Sequence, residues 1–192
     1  MKLYLLRHGE TEGNRRRLYY GRTDLPLLPE TVTALRENAA CYPKAGRYCV
    51  SGMLRTVQTL RAIYGDVPYT VIPELREIDF GIFEMHTYEE LKDTPAYRRW
   101  IGDAEHNRCP DGESAVDLQR RCVRAVETLL ARGEDIVCVT HGGAIAAILM
   151  YYFGGERYAY SVPPASGVCI DAPDGTPTAW SPVPAEPSER RS

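Results

Sequence analysis

Leu3-Tyr4-Leu5-Leu6-Arg7-His8-Gly9-Glu10-Thr11-Glu12-Gly13-Asn14 is the stretch whose reading decides the fold. A short apolar, β-prone run from Lys2 to Leu6 passes straight into a cation, an imidazole and a glycine. Gly9 and Gly13 break the strand, and a polar loop follows to Asp24. The same order recurs far along the chain. Asp135 to Thr140 is a second such run, it ends in His141-Gly142-Gly143, and Gly143 to Phe153 then has helical length.

Between these two points strands and helices alternate. Pro29 suits a helix first turn, and Glu30 to Cys41 has helical spacing at Val32, Leu35 and Ala39. Tyr48–Val50 reads as a strand, Leu54–Tyr64 as a helix capped by Gly65, and Tyr69–Ile72 as a further strand. Thr87 followed by Glu90 fits a capping box, so a helix starts there. Pro95 to Asp111 reads as short helix plus loop. Ser114 is an N-cap for a long helix to about Arg132, ended by Gly133, with apolar residues at Val116, Leu118, Cys122, Val126, Leu129 and Leu130. Val168–Ile170 and Thr178–Trp180 read as late edge strands joined at Asp174-Gly175, and the Pro, Glu, Ser and Arg-rich tail over 182–192 reads as disordered. This alternation predicts one α/β domain over 1–181, a three-layer α/β/α sandwich around a mainly parallel sheet.

Composition narrows the function. The 192 residues are 44% hydrophobic and 26% charged with a net charge of −3, an ordinary globular balance. No basic excess asks for nucleic acid or an anionic membrane, no apolar run reaches bilayer length, and Arg7 and His8 interrupt the first apolar run too early for a secretion signal. The expectation is a cytoplasmic protein without nucleic-acid or membrane partners; no oligomeric state is legible. The six cysteines are widely spaced without a Cys-x-x-Cys pair, and several sit in strand-like runs as small hydrophobes.

In an open α/β sheet, ligands bind beyond the carboxyl ends of the strands. The first strand delivers Arg7-His8-Gly9 there, the second Ser51 and Arg55, the third Glu74, Arg76 and Glu77, and the fourth Thr140-His141-Gly142. A lone histidine at a strand end is usually structural. Two of only four histidines at equivalent strand ends, with two arginines beside them, argue for a site. The set lacks the close ligand pair of a zinc site, and no phosphate-cradling Gly-x-x-x-x-Gly-Lys-Ser/Thr occurs, so neither metal nor cofactor is expected. Guanidinium forks and imidazoles without a metal suit a phosphoryl group.

Arg7-His8-Gly9-Glu10-Thr11 with Asn14 resembles the Arg-His-Gly signature of the histidine phosphatase superfamily, which includes the phosphoglycerate mutases. The resemblance extends through Gly21-Arg22-Thr23-Asp24-Leu25-Pro26-Leu27, the Ser51 to Thr59 block, Leu75-Arg76-Glu77 with Phe80, Gly81 and Glu84, Pro110 to Ser114, and Val139-Thr140-His141-Gly142-Gly143. It implies a phosphoglycerate mutase-like fold and a phosphohistidine mechanism. His8 would be the nucleophile. Arg7, Arg55 and His141 would grip the phosphoryl oxygens, and Glu77 would be the acid and then the base. Thr11, Asn14, Arg22, Thr23 and the backbone at Gly142 would be further substrate contacts. His8 must be unprotonated among cations, and the acid loop should bury Glu77 so that it holds a proton.

The sequence departs from the family pattern at Met85-His86, where glycine often follows the acid-loop glutamate, and at Gly52-Met53, where a proline is usual. Met85 and His86 bear on the pocket mouth, although His86 and His106 alone read as surface residues. Tyr19, Tyr20, Tyr88, Tyr97 and Trp100 either line an aromatic mouth or simply pack. Three readings remain open: a phosphatase acting on a small phosphomonoester, a mutase, and a non-catalytic phospho-ligand-binding domain. The region after the acid loop offers only Arg98, Arg99 and Arg108 for a mutase's basic clamp, which favours hydrolysis. The Leu18–Leu27 stretch is similar to that of α-ribazole phosphatases of cobamide synthesis, and sugar phosphates are the other substrate class considered.

Overall fold

The computed structural model describes residues 1–183, the side chains of 157 and 158 excepted. Its strands are Lys2–Arg7 (β1), Arg47–Val50 (β2), Thr70–Val71 (β3), Ile136–Thr140 (β4), Gly167–Asp171 (β5) and Ala179–Val183 (β6). They form one sheet in the order β3-β2-β4-β1-β5-β6. β1 to β4 run parallel, and β5 and β6 are antiparallel to their neighbours. The α-helices are Glu12–Arg15 (α1), Pro29–Glu37 (α2), Leu54–Tyr64 (α3), Tyr88–Leu91 (α4), Pro95–Ile101 (α5), Ala115–Leu130 (α6) and Gly142–Phe153 (α7).

The central strands are buried on both faces, as a parallel sheet covered on both sides requires. Leu3, Leu5, Ile136, Cys138, Val168 and Ile170 face one apolar cluster with α6 and α7. Leu6, Val137, Val139 and Cys169 face the other, with Leu35 of α2 and Leu60 and Ile63 of α3. The period-two alternation along each strand thus feeds two helical layers, giving the three-layer sandwich. α6 shows the logic locally. Ser114 caps it, with its hydroxyl accepting from the Asp117 amide, and Leu118, Cys122, Val126, Leu129 and Leu130 fall on one buried stripe. Each large side chain so buried contributes roughly 1.5–3 kcal/mol. A third, aromatic cluster of Phe83, Leu91, Tyr97, Trp100 and Cys109 stands apart from these layers.

The predicted elements recur with three differences. The helix expected over 30–41 stops at Glu37. Asn38 leaves helical geometry, its side-chain amide bonds the Ala34 carbonyl, and a 3₁₀ turn follows at Ala39–Cys41. β5 is not an edge strand. It lies between β1 and β6, where it satisfies the backbone groups of β1 that β4 leaves open. β6 runs to Val183, so Pro182 and Val183 belong to an edge strand, where a residue lacking an N–H is tolerated. The rest of the tail expected to be disordered, 184–192, lies outside the described residues. Cys41, Cys49, Cys122, Cys138 and Cys169 are free thiols, and of these only Cys41 is exposed. Among the described residues no helix is long and apolar enough to cross a membrane.

Candidate active site

β1 and β4 are neighbours in register, with Arg7 opposite Thr140, so their carboxyl ends deliver His8 and His141 side by side. The two imidazole centroids are 5.2 Å apart. Both rings are buried, His8 at 3% and His141 at 0% exposure. His8 Nδ1 lies 2.7 Å from the Gly9 carbonyl oxygen. A carbonyl only accepts, so Nδ1 carries the hydrogen and Nε2 keeps its lone pair. Gly9 is pinned in turn, its amide donating to Thr59 Oγ1 at 2.9 Å. Burial, then the charges of Arg55 and Arg7, push the His8 pKa down to about 3. Desolvation is the larger cause, and the cations that the sequence places beside His8 come second.

A hydrogen-bond relay orients His141. Thr56 Oγ1 donates to the Met53 carbonyl at 2.7 Å, so it can only accept from Ser51 Oγ at 3.2 Å. Ser51 has thereby spent its hydrogen and accepts from His141 Nε2 at 2.8 Å. His141 Nδ1 is left unprotonated, facing the Arg55 Nε–H at 3.3 Å. Burial, then Arg55 and His8, hold the His141 pKa well below its ordinary value. Ser51 and Thr56 are thus orienting groups for His141, a role that their motif alone does not reveal.

Arg55 is fully buried. Its two terminal nitrogens donate to the carbonyls of Thr23 (2.9 Å) and Gly21 (2.8 Å), and its carbon sits 4.9 Å from the Tyr20 ring centroid. Its closest carboxylate is that of Asp24, at 3.5 Å and partly exposed. Asp24 also accepts from the first amide of α3. A fully buried guanidinium whose carboxylate partner is 3.5 Å away and partly exposed keeps charge to offer a further anion. Arg7 donates to the Val162 carbonyl at 2.7 Å, and its buried Nε has no hydrogen-bond partner among the described residues. Its guanidinium lies against the backbone of Gly142, where a Cβ would come within 3.2 Å of it.

Thr11 caps α1, and its amide and hydroxyl both donate to Asn14 Oδ1 at 3.0 Å. Tyr20 OH donates to Thr11 Oγ1 at 2.7 Å and lies 2.9 Å from the same Asn14 oxygen. With Oδ1 saturated, Asn14 has its side-chain NH₂ free for a ligand among the described residues.

Glu77 is half-buried rather than enclosed as the sequence reading expected. One oxygen accepts from the Ile78 amide at 3.0 Å and the other from the Gly143 amide, in the first turn of α7, at 2.9 Å. Those amide contacts, not deep burial, hold the carboxylate in place, because the loop lies over the open end of the sheet.

The two remaining expected contacts are placed differently. Arg22 is half-exposed, 3.5 Å from Asp79 and bonded to the Asp111 carbonyl. Thr23 donates its hydroxyl to Glu84 at 2.6 Å and meets Arg55 only through its carbonyl. The anchor for this loop is Glu84, whose carboxylate accepts from the amides of Gly21, Arg22, Thr23 and Phe80 as well.

The aromatic residues divide. Tyr97 and Trp100 are buried with Phe83, Tyr19 packs against Phe80, Tyr97 and Trp100, and Tyr88 is exposed. Tyr20 belongs to the site itself. The aromatic rings that reach the cleft are Phe80 and Tyr160. That cleft, about 250 Å³, is lined by Arg7, Glu77 and Gly142 together with Phe80, Ala146, Tyr160 and Val162. Among the described residues no group of three or more His, Cys, Asp or Glu side chains could hold a metal ion.

The chain matches the family model of the histidine phosphatase superfamily (branch 1) over residues 3–179. The chain belongs to the histidine phosphatase superfamily. It is 35% identical over 167 residues to a probable phosphoglycerate mutase, GpmB, of Proteus mirabilis, with 83% of this chain and 78% of the relative covered. It is 30% identical over 157 residues to the adenosylcobalamin/alpha-ribazole phosphatase of Salmonella typhimurium, with 78% of each covered. Its fold superposes on the alpha-ribazole phosphatase of Shigella flexneri with a TM-score of 0.84 at 26% identity, covering 98% of this chain and 100% of that one. A phosphoglycerate mutase of Thermus thermophilus gives 0.74 at 35% identity, covering 90% and 94%.

Both departures from the family pattern have backbone consequences. Gly52 has φ +88°, a conformation closed to the proline usual in the family. Met85 has φ +65°, the left-handed region in which the family's glycine is unstrained and a methionine is not. His86 and His106 are exposed, the latter paired with Asp103.

Proposed function

We propose that this histidine phosphatase is a metal-independent phosphomonoester hydrolase that works through a phosphohistidine at His8. One observation carries the reading: His8 Nε2 is a neutral nucleophile beside Arg55, a fully buried cation whose ion-pair partner, Asp24, is 3.5 Å away and partly exposed. A phosphate monoester fits between them. Arg7, Arg55, Asn14 and His141 Nδ1, once protonated, hold its oxygens. Nε2 attacks phosphorus as the P–O ester bond breaks, and the leaving oxygen takes a proton from Glu77. Glu77 then removes a proton from water, which attacks the phosphohistidine and frees phosphate and His8.

The substrate is a small phosphorylated metabolite such as α-ribazole phosphate or a sugar phosphate. Among the described residues lining the cleft, Arg7 is the only cation, and it is set among Glu77, Phe80, Ala146, Tyr160, Ser161 and Val162. That lining suits an uncharged leaving group better than the carboxylate of a phosphoglycerate. Arg98 and Arg108 are tied to Asp93 and Asp117, which leaves them poor candidates for a mutase clamp. Relatives named as phosphoglycerate mutases keep phosphoryl transfer between hydroxyls as the second reading.

Rapid mixing with a labelled phosphomonoester and a quench should trap an acid-labile, base-stable phosphoryl group on the wild-type chain and none on His8→Ala. Chelators should leave turnover unchanged. A panel of α-ribazole 5′-phosphate, sugar phosphates and 3-phosphoglycerate with 2,3-bisphosphoglycerate separates the two reactions. A faster mutase reaction than any hydrolysis would overturn the assignment.

A further inference from the structure

Arg121, in α6, has no place in the site motifs, yet all five of its N–H donors are committed. Nε and one terminal nitrogen make a paired contact with the Glu113 carboxylate at 2.9 and 2.8 Å. The same nitrogen donates to the Glu77 carbonyl at 2.8 Å. The other donates to the carbonyls of Glu74 (2.6 Å) and Arg76 (2.7 Å). Thr140, at the end of β4, holds the carbonyl between them, donating to Leu75 at 2.6 Å. Four consecutive carbonyls of the acid loop are therefore held by two side chains. Glu113 closes the frame, because its carboxylate also accepts from the Asp79 amide, just past Glu77.

A stretch gripped so densely is not gripped for the sheet's sake. β3 has already ended, and the loop's burden is one half-buried carboxylate. A guanidinium suits this role, being planar, permanently charged and able to present five donors in a fixed fork. We infer that Arg121 is the positioning residue that sets Glu77 for proton transfer to the leaving oxygen. This rests on the acid role proposed for Glu77. Arg121 works through the loop backbone and touches no reacting atom.

A purely structural clamp and a positioning clamp differ in one readout. Nitrophenolate leaves without a proton, whereas an alkoxide does not, so loss of proton donation shows only on the alkyl ester. The quantity to compare is kcat/KM, which covers the steps through His8 phosphorylation and excludes the later attack of water. Arg121→Gln should lower kcat/KM for glycerol 2-phosphate by about 10- to 100-fold, the lower part of the range a general acid supplies. For p-nitrophenyl phosphate the loss should stay under about 3-fold, and Arg121→Lys should recover part of the alkyl-ester rate. Vanadate inhibition should be unchanged, since the anion's own contacts are elsewhere. Should Arg121→Gln not fold, Glu113→Gln weakens the same frame with Arg121 in place and should give the same selectivity with a smaller loss. Equal losses on both esters, or no loss on either, would overturn the inference. Glu77→Gln is measured in parallel. If it lacks the alkyl-selective loss, the acid role of Glu77 falls and takes this inference with it. If it shows that loss and the Arg121 and Glu113 variants do not, Arg121 alone is refuted.

Discussion

The phosphate-facing floor of the site and its acid-bearing wall are built on different principles. The floor consists of His8, His141 and Arg55, all buried and carried by strand ends and the first turn of α3. Its orientation comes from short-range relays: Gly9 on Nδ1 of one imidazole, Ser51 and Thr56 on Nε2 of the other. The wall runs through the loops around Glu77 and Glu84 and belongs to no strand. It is held by long charged side chains grasping backbone from a distance, Arg121 from α6 and Glu84 onto the loop at 21–23. Desolvation does the chemical work in the floor, where it keeps imidazoles neutral. In the wall, hydrogen bonds from side chains to loop backbone do the positioning. The floor should therefore tolerate no change in charge geometry, while the wall can be altered by degrees.

The sharpest test of that contrast is Arg55→Lys. It keeps the charge but removes the fork that bridges Gly21 and Thr23 and faces His141. A drop of about 100-fold in kcat/KM is expected, from steady-state kinetics, with proton-independent and proton-dependent esters affected alike. Retention of near wild-type turnover would mean that the floor is not preorganised.

The second test uses pH. His8 titrates at about 3 in the folded chain against an ordinary value of 6.5. Between those values the unfolded chain binds a proton that the folded chain refuses. Its contribution is therefore complete above pH 6.5 and declines as pH falls through the window. One such group changes stability by about 1.4 kcal/mol per pH unit there. Urea denaturation from about pH 6.5 to about pH 4 should show a shallower decline for His8→Gln than for the wild type. Parallel curves would refute the desolvated-imidazole account.

The smallest effect belongs to the wall. Met85→Gly relieves a left-handed φ at the cost of a more flexible unfolded chain, and should raise stability by up to about 1 kcal/mol, read as a higher urea midpoint at unchanged m-value. A lower midpoint would mean that the Met85 side chain, 38% exposed, contributes more by packing than its backbone loses.

Much of this was legible one segment at a time. The capping box at Thr87, the N-cap at Ser114, Pro29 at a first turn and Gly65 after α3 all act within a few residues, and each occurs where its local chemistry directs. The convergence of Arg7, His8, Arg55 and His141 was also readable, because parallel strands must present their carboxyl ends together. Three features were not. The partial exposure of Glu77, the commitment of Thr23 to Glu84 and the framing of the acid loop by Arg121 depend on partners 44 to 66 residues away. No local period or cap records such pairs.

By itself the sequence determined the parallel core, the helix limits set by caps, and which chemical groups arrive at the sheet's reactive edge. Periodicity and strand polarity are local or collective properties that survive without coordinates. Only the tertiary structure decided which nitrogen of each imidazole is free and which carbonyls hold the acid loop. It alone put β5 inside the sheet rather than at its rim. A hydrogen bond has one donor, one acceptor and a distance, and those come into being only when remote segments of the chain are brought within about 3 Å of each other.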